Sequence, residues 1–306
     1  MNDRTKGWLN GLVAVIIFGG STAGTRAGIS GFEPFFLTSA RAAIAGGLAC
    51  ALMLALRSPL PRRGELASLV IVIAGVVIGF PLLSGLAVQH ITAARAVVFQ
   101  GLLPLGTALF GVLRGGERPS PVFWLFALAG ALTIGAFALS RGADSSPPGD
   151  LLILAGVVVC SLGYAEGGVL ARRMGGLRVI CWALILSLPV SVPAAVLLQP
   201  NSFAGLPSQA WMGLAYVSVF SMLIGFIFWY RGLALGGIAA VGQIQLLQPL
   251  FGLAVSALLL GESVGWPMLA VTAAVILCVA GARRFSGPAR ILRSMPPQTA
   301  LGEELE

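Results

Sequence analysis

The sequence has few charged residues, a single histidine and only four cysteines. Aspartate, glutamate, lysine and arginine together make up 10% of the 306 residues, whereas 57% are hydrophobic. A soluble domain has about 25% charged residues, and a core of this size cannot hide so many apolar side chains. The four cysteines lie in apolar runs without the spacing of a disulfide framework or a zinc site. These absences exclude an ordinary soluble domain and indicate a protein whose solvent is lipid.

Ten runs of mainly apolar residues are each long enough to cross a bilayer, which requires roughly 20 residues. The runs lie at 7–27, 34–56, 66–88, 92–113, 121–140, 150–171, 177–198, 209–231, 238–260 and 265–282. The gaps between them are short and hold turn-forming residues, as in SPLPRRG and RGADSSPPGD. The sequence therefore predicts an all-α integral membrane protein with ten transmembrane helices in a compact bundle.

The basic residues fall mainly on one side of these predicted spans. If the N-terminus is cytoplasmic, the inner segments contain fifteen lysines and arginines, and the outer loops contain only Arg141. This bias predicts that both termini are cytoplasmic, and the basic tail after residue 284 can contact anionic membrane lipids. The net charge of +8 does not indicate a nucleic-acid partner, because the basic residues are not clustered with aromatic ones.

An internal repeat relates the two halves of the chain. Residues 100–117, QGLLPLGTALFGVLRGGE, resemble residues 245–262, QLLQPLFGLAVSALLLGE. Four pairs match at one offset of 145 residues: Gln100 and Gln245, Pro104 and Pro249, Gly116 and Gly261, Glu117 and Glu262. This offset covers five predicted spans, an odd number, so the second copy enters the membrane in the opposite orientation. We therefore expect two inverted five-helix repeats around a central cavity, at 1–140 and 141–283, followed by a cytoplasmic tail at 284–306.

A proline followed by a Gly-Glu pair, once in each five-span unit, resembles the EamA-type transporters of the drug/metabolite transporter superfamily. The residues that carry the resemblance are Pro104, Gly116 and Glu117, and then Pro249, Gly261 and Glu262. The family commonly has Trp-Gly in the first helix of a unit, where this chain has Phe18-Gly19 and Leu162-Gly163. The resemblance implies a bacterial inner-membrane exporter of amino acids or related metabolites, which is not an enzyme and uses no cofactor.

Three glutamines are the first candidates for a substrate site, because an unbonded amide is costly in hydrocarbon. Gln100 and Gln245 lie near mid-membrane in their predicted helices, and Gln248 shares a helix face with Gln245. Such amides can simply join helices. Their symmetric placement favours instead a pair that faces the cavity between the repeats.

Other candidates lie toward the two ends of the predicted cavity. His90, Arg95 and Phe99 lie toward the outer end, where His90 is a structural residue or a pH switch. Arg95 either reaches the outer headgroups or binds a substrate carboxylate. The family resemblance adds Tyr164 and Trp182 toward the inner end. No group of residues predicts a metal site.

Two further sets of residues have structural interpretations in competition with functional ones. Pro104 and Pro249 each remove a backbone hydrogen bond and should kink their helices, either as hinges for gating or as simple curvature. Arg41 is expected to be a buried charge that needs a partner. Glu166 and Arg173 are expected to form a solvated ion pair at the inner end.

The candidate side chains suit a zwitterionic substrate such as an amino acid, and a monomer is sufficient to hold them. The lack of paired acidic residues at mid-membrane leaves both proton antiport and facilitated export open. A channel is one alternative function. A second is an intramembrane protease of the rhomboid kind, suggested by GISG at 28–31, with Ser30 as nucleophile and His90 as base.

Overall fold

A computed structural model describes residues 2–87, 89–91, 96, 99–140, 146–248, 250–251 and 266–286. These residues form ten helical segments and no strand. In chain order they are α1 Asp3–Ile29, α2 Pro34–Ala55, α3 Arg63–Ala87, α4 Leu103–Gly115, α5 Pro121–Ser140, α6 Pro147–Met174, α7 Gly176–Leu197, α8 Ser208–Gly236, α9 Ile238–Leu247 and α10 Trp266–Phe285. The prediction of an all-helical protein is confirmed over the described residues.

Six of these helices are long and apolar enough to cross a membrane, namely α1, α2, α3, α6, α7 and α8. They contain 22 to 29 residues, and 20 residues already span about 30 Å. Large apolar side chains cover their outer surfaces, and Leu54 and Leu197 are 78% and 82% exposed. Surface of this kind is stable only against lipid or another protein. A multi-pass membrane protein is therefore confirmed, whereas the number ten stays a prediction.

The helices of the first half pack mainly against helices of the second half. Helix α1 packs on α8, α2 on α7, α3 on α6, and α5 on α10, while α4 packs on both α6 and α9. The largest apolar cluster draws its fully buried side chains from both halves, for example Val15, Val77, Trp229 and Ile244. The core therefore lies at the junction between the halves rather than inside either one.

Glycines allow the backbones of α1 and α8 to touch. A Cβ atom added at Gly213 would lie 2.4 Å from both the carbonyl oxygen of Gly24 and the amide nitrogen of Gly28. A Cβ atom at Gly7 would lie 2.3 Å from the amide nitrogen of Gly236. Small residues at such crossings replace the hydrophobic driving force that lipid cannot supply between helices.

Replacing Gly213 with alanine should therefore separate α1 from α8 and lower stability by about 1–3 kcal/mol, the usual cost of overpacking. The matched control is Gly47→Ala in α2, because a Cβ atom at Gly47 meets nothing within 4 Å. Thermal unfolding of the purified proteins in detergent would compare them. An equal midpoint for the two variants would contradict the close approach of α1 and α8.

Three stretches depart from regular α-helix. Residues Ile73–Gly79 of α3 and Tyr216–Gly225 of α8 are π-helical, and Gln243–Leu247 of α9 is a 3-10 helix. Helix α1 has a turn at Gly20, next to which the Tyr216 hydroxyl donates to the Ile17 carbonyl at 2.8 Å. Such irregular stretches occur frequently at functional sites and hinges.

Pro104 does not kink a continuous helix, as the sequence suggested, but lies in the first turn of α4. A turn at Gly101 and Leu102 separates α4 from the helical residues Phe99 and Gln100. The first turn of a helix tolerates proline because an amide hydrogen there has no intrahelical acceptor. A hinge role for Pro104 stays a prediction, and Pro249 lies outside the described residues.

Candidate functional site

Four aromatic side chains from three helices meet in the core between the two halves. The ring of Tyr164 in α6 lies 5.3 Å from that of Trp229 in α8, edge to face, and 5.9 Å from that of Phe226. Phe18 of α1 lies 4.9 Å from Phe226 and 6.1 Å from Trp229. The irregular stretch of α8 ends just before Phe226. We call Phe18, Tyr164, Phe226 and Trp229 the aromatic cluster.

Gln245 of α9 lies beside this cluster with its amide unsatisfied. The side chain is 4% exposed, and neither its nitrogen nor its oxygen has a hydrogen-bond partner of normal geometry among the described residues. The Tyr164 hydroxyl is close enough to this amide for a weak hydrogen bond, and Tyr164 in turn interacts with the thiol of Cys160. An unsatisfied buried amide costs about 1–3 kcal/mol. A ligand or water that bonds this amide would recover that free energy.

More unsatisfied polar atoms occur in the same core. The indole nitrogens of Trp229 and Trp182 and the Thr107 hydroxyl are buried without a partner within the described part of the chain. The Nε of Arg41 in α2 is also buried and unpartnered there, and Arg41 is close enough to Tyr164 for an electrostatic interaction. Buried polar groups in proteins normally have partners, so each of these atoms is a candidate for a bond to water or to a ligand.

The neighbouring Gln243 is bonded through its side-chain nitrogen, although its side-chain oxygen is also unpartnered among the described residues. Its side-chain nitrogen donates to the Pro104 carbonyl at 3.2 Å, and Ser161 of α6 donates to the adjacent Leu103 carbonyl at 3.4 Å. A carbonyl oxygen in the first turn of a helix accepts an intrahelical amide hydrogen, and its second lone pair can accept these side-chain bonds. Gln243 and Ser161 therefore fix the start of α4 between α6 and α9.

The structure brings only some of the predicted site residues to the aromatic cluster. Gln245 and Tyr164 lie there, and the Gln248 amide donates to the Phe18 carbonyl at 3.5 Å. Trp182 is 8% exposed in the same core. Gln100 and Phe99 are half-buried, and Phe99 packs against the edge of this core.

The candidates toward the outer end are placed differently. His90 is exposed in the turn after α3, with its Cβ beside Gly149 of α6. In the described part of the chain no hydrogen bond or ring contact joins it to the aromatic cluster. Arg95 lies outside the described residues. Participation of His90 and Arg95 in a site stays a prediction.

A model of the EamA-like transporter family matches residues 5–139 and then 147–283. The chain belongs to this family. Its membership confirms the resemblance that Pro104, Gly116 and Glu117 carry in the sequence. Transport of a small molecule across a membrane is therefore its general activity, and the names of its relatives agree.

Two transporters of Bacillus subtilis (strain 168) are similar to this EamA-like transporter in sequence. The uncharacterized transporter YdeK is 59% identical over 286 residues, which cover 94% of this chain and all of YdeK. The uncharacterized transporter YyaM is 24% identical over 220 residues, 65% of this chain and 69% of YyaM. A solved crystal structure that is 21% identical has a TM-score of 0.77 and covers 92% of this chain and 98% of its own. That similarity shows a shared fold.

The Gly-Glu pair of this EamA-like transporter has a structural role that its sequence alone did not reveal. Gly116 has a positive φ of 64° and ends α4, so that the next residue turns back toward the bundle. The Glu117 carboxylate then accepts hydrogen bonds from the amides of Ile238 and Ala239, both at 2.7 Å. It also forms an ion pair with Arg172 at the end of α6. Glu117 therefore joins α4, α6 and the start of α9.

The sequence contained one signal for this role, the repetition of Gly-Glu at the 145-residue offset, but no indication of the partner. A carboxylate is stabilised at the N-terminus of a helix, where amide hydrogens are unbonded. Gly237, with φ of 93°, allows the sharp turn from α8 into α9 that presents those amides. The equivalent Glu262 lies outside the described residues.

The expected ion pair of Glu166 was wrong in two respects. Glu166 is 3% exposed rather than solvated, and its carboxylate accepts from Arg114 Nε at 2.7 Å and from the Ser68 hydroxyl at 2.5 Å. Arg173, two turns along the same helix, is a more distant electrostatic neighbour. Helical spacing identified a pair on one face of α6, but α4 and α3 pack against that face and supply nearer partners.

Among the described residues, no three histidine, cysteine, aspartate or glutamate side chains gather closely enough to hold a metal ion. The polar and aromatic groups of this core have other binding capacities. Amides and indole nitrogens can form hydrogen bonds, and the faces of aromatic rings such as those of Tyr164 and Trp229 can pack against apolar groups or a cation.

Proposed function

We propose that this EamA-like transporter exports amino acids or related small metabolites by alternating access, with its binding site beside the aromatic cluster. The observation that carries the proposal is the buried amide of Gln245, which lies next to the Tyr164 hydroxyl but makes no hydrogen bond of normal geometry with any described residue. A side chain that only joined helices would be bonded to one, as Gln243 is. Gln245 has the properties of a group reserved for a ligand.

The chemistry of the site suits a zwitterion. The amide of Gln245 both donates and accepts hydrogen bonds. The faces of Trp229 and Tyr164 attract an ammonium group, and Arg41 is a nearby cation for a carboxylate. In this proposal Gln100, Phe99, Gln248 and Trp182 complete the walls, and His90 and Arg95 contact the substrate nearer the outside.

The contacts between helices support two inverted repeats. If helices α1–α5 correspond to α6–α10, the contact of α1 with α8 becomes that of α6 with α3, and both occur. Under the same correspondence, the contact of α2 with α7 and the contact of α5 with α10 each map onto themselves, and both are present. The π-helical stretches agree, because residues 73–79 shifted by 145 become 218–224, which lie inside Tyr216–Gly225. Repeats of this kind place substrates at their interface.

The two described ends of the chain support an even number of spans. Arg4 donates to the Arg283 carbonyl and to the Ser286 hydroxyl, both at 2.7 Å, so the ends meet on one side of the bundle. Together with the arginine bias of the sequence, this contact supports ten spans with both termini in the cytoplasm. We propose the bacterial inner membrane as the location.

The contacts do not support the protease alternative. The Ser30 hydroxyl donates to the Ala27 carbonyl at 2.7 Å, and no hydrogen bond in the described region joins it to His90. Both residues are exposed, in turns after different helices. A serine nucleophile would require its base within hydrogen-bond reach.

Purified protein in liposomes would test the proposed activity with a panel of radiolabelled amino acids. We expect saturable uptake of at least one amino acid, and faster uptake when the liposomes are loaded with the same unlabelled compound. This counterflow arises because a carrier that returns with unlabelled substrate bound changes orientation faster than an empty carrier does. Liposomes without protein provide the control. Unsaturable flux without counterflow would indicate a channel, and no flux of any amino acid would contradict the substrate class.

A further inference from the structure

Two cavities open at the arginine-rich end of the bundle, away from the aromatic cluster. One has a volume of about 680 Å³ and is lined by Arg62, Glu65, Arg173 and Arg178 among others. The second has a volume of about 260 Å³, and its polar lining is Ser68, Arg114, Glu166 and Arg173. Because Arg173 lines both, they adjoin. We call the two together the arginine vestibule.

The charges of the arginine vestibule are unbalanced. Its lining contains four guanidinium groups, Arg62, Arg114, Arg173 and Arg178, against two carboxylates, Glu65 and Glu166. The formal surplus is two positive charges in a concave site, where the low-dielectric walls concentrate the field. A negatively charged group is therefore attracted into it.

The carboxylates are already engaged within the protein. Glu65 Oε2 accepts from the amide of Arg62 at 2.7 Å, at the start of α3. Both oxygens of Glu166 are occupied, one by the Ser68 hydroxyl and the other by Arg114 Nε. Three of the four carboxylate oxygens are thus bonded within the protein, and two negative charges do not balance four positive ones.

The guanidinium groups, in contrast, retain free donors. Arg173 is exposed, and no hydrogen bond or ion pair within the described chain engages its guanidinium. Arg178 donates through Nη2 to the Pro59 carbonyl at 3.1 Å, but its Nε is buried without a partner there. The unbonded N–H groups of a planar guanidinium match the paired oxygens of a phosphate or a carboxylate.

We propose that the arginine vestibule binds an oxyanion, a phosphate or carboxylate group, with Arg173 and Arg178 as its direct ligands. Glu166 acts as a positioning residue, because its bond to Arg114 Nε turns the remaining donors of that half-exposed guanidinium toward the smaller cavity. The site is independent of the proposed transport of amino acids and is formed by α3, α4, α6 and α7.

Two sources can supply such an oxyanion. A soluble phosphate or carboxylate compound can enter from water, since the larger cavity is within the size range of small-molecule sites. The phosphate of an anionic lipid can enter from the membrane, since basic pockets between helices on the cytoplasmic side bind such headgroups. The contacts with Arg173 and Arg178 are the same in both cases.

Thermal unfolding in a zwitterionic detergent at constant ionic strength would test the site, with inorganic phosphate in one series and phosphatidylglycerol in the other. We expect the midpoint to rise with at least one probe. Arg173→Gln and Arg178→Lys should each raise the half-saturating concentration about tenfold or more, because each removes a charge-assisted hydrogen bond to the oxyanion. Phosphatidylcholine should have no effect in the lipid series.

The matched control is Arg118→Gln, because Arg118 is an exposed arginine near the same end that does not line either cavity. It should respond as the unaltered protein does. A response to phosphatidylglycerol alone would assign the site to a lipid headgroup, and a response to phosphate would assign it to a soluble ligand. No response to either probe, or equal responses of Arg173→Gln and Arg118→Gln, would overturn the proposal.

Discussion

Glu117→Ala is expected to lower the thermal-unfolding midpoint by roughly 10 °C and to reduce transport below detection. Removing one partner of a buried ion pair costs about 3–5 kcal/mol, and each kcal/mol corresponds to a few degrees. Arg172, whose side chain is 11% exposed, would lose its carboxylate partner. The amides of Ile238 and Ala239 would lose their acceptor at the same time, so the start of α9 would loosen. Unfolding in detergent and uptake by proteoliposomes would measure the two effects.

Glu33→Ala is the matched control for this substitution. Glu33 is an exposed carboxylate before α2, and its side chain makes no capping hydrogen bond. Its loss should therefore change the free energy of unfolding by less than about 0.5 kcal/mol. Glu117→Gln combined with Arg172→Met should recover part of the stability lost in Glu117→Ala, because no buried charge is then left unpaired. A wild-type midpoint for Glu117→Ala would show that the carboxylate does not join the helices.

Gln245→Leu should reduce transport by about 10- to 100-fold without lowering stability. The lost bond to a substrate is worth roughly 1.5–3 kcal/mol when the substrate group is charged, and each 1.4 kcal/mol is a factor of ten. The folded protein loses only a weak contact with the Tyr164 hydroxyl, and it no longer buries an amide that lacks a hydrogen bond of normal geometry. Its unfolding midpoint should therefore stay equal or rise. Counterflow and thermal unfolding on the same preparation would measure both quantities.

Gln243→Leu provides the contrast, since it makes the same chemical change two residues earlier in the same helix. The Gln243 side-chain nitrogen donates to the Pro104 carbonyl, so this variant should lower the midpoint by removing a bond between α9 and the start of α4. If Gln245→Leu were the less stable of the two and transported normally, its amide would be a connection between helices. The proposed binding site would then be wrong.

Several features could be predicted from local sequence because they depend on composition and on chain order alone. The shortage of charge indicated that the solvent is lipid, and the apolar runs predicted where most helices lie, although α4 begins at Leu103 inside the predicted run 92–113. The pairs at a 145-residue offset, from Gln100 with Gln245 to Glu117 with Glu262, showed that the chain is built twice. The candidates Gln245 and Tyr164 were also identified in this way, from the cost of a buried amide and from family resemblance.

Other features depend on which helix faces which, and sequence does not specify that in a bundle of similar apolar helices. Spacing along α6 suggested Arg173 as the partner of Glu166, but the packing of α4 supplied Arg114. Gln243 and Gln245 are the same residue type in one short helical stretch, and only the position of the Pro104 carbonyl distinguishes the bonded amide from the free one.

The sequence by itself determined a membrane-embedded helical protein with a duplicated Gly-Glu motif and polar residues inside its spans. Only the tertiary structure decided that Glu117 holds the start of α9, that Gln245 is left unsatisfied beside Tyr164 and Trp229, and that four arginines surround one vestibule. The physical reason is that hydrophobicity is a property of each residue, whereas the satisfaction of a buried polar group depends on atoms that are distant in the chain.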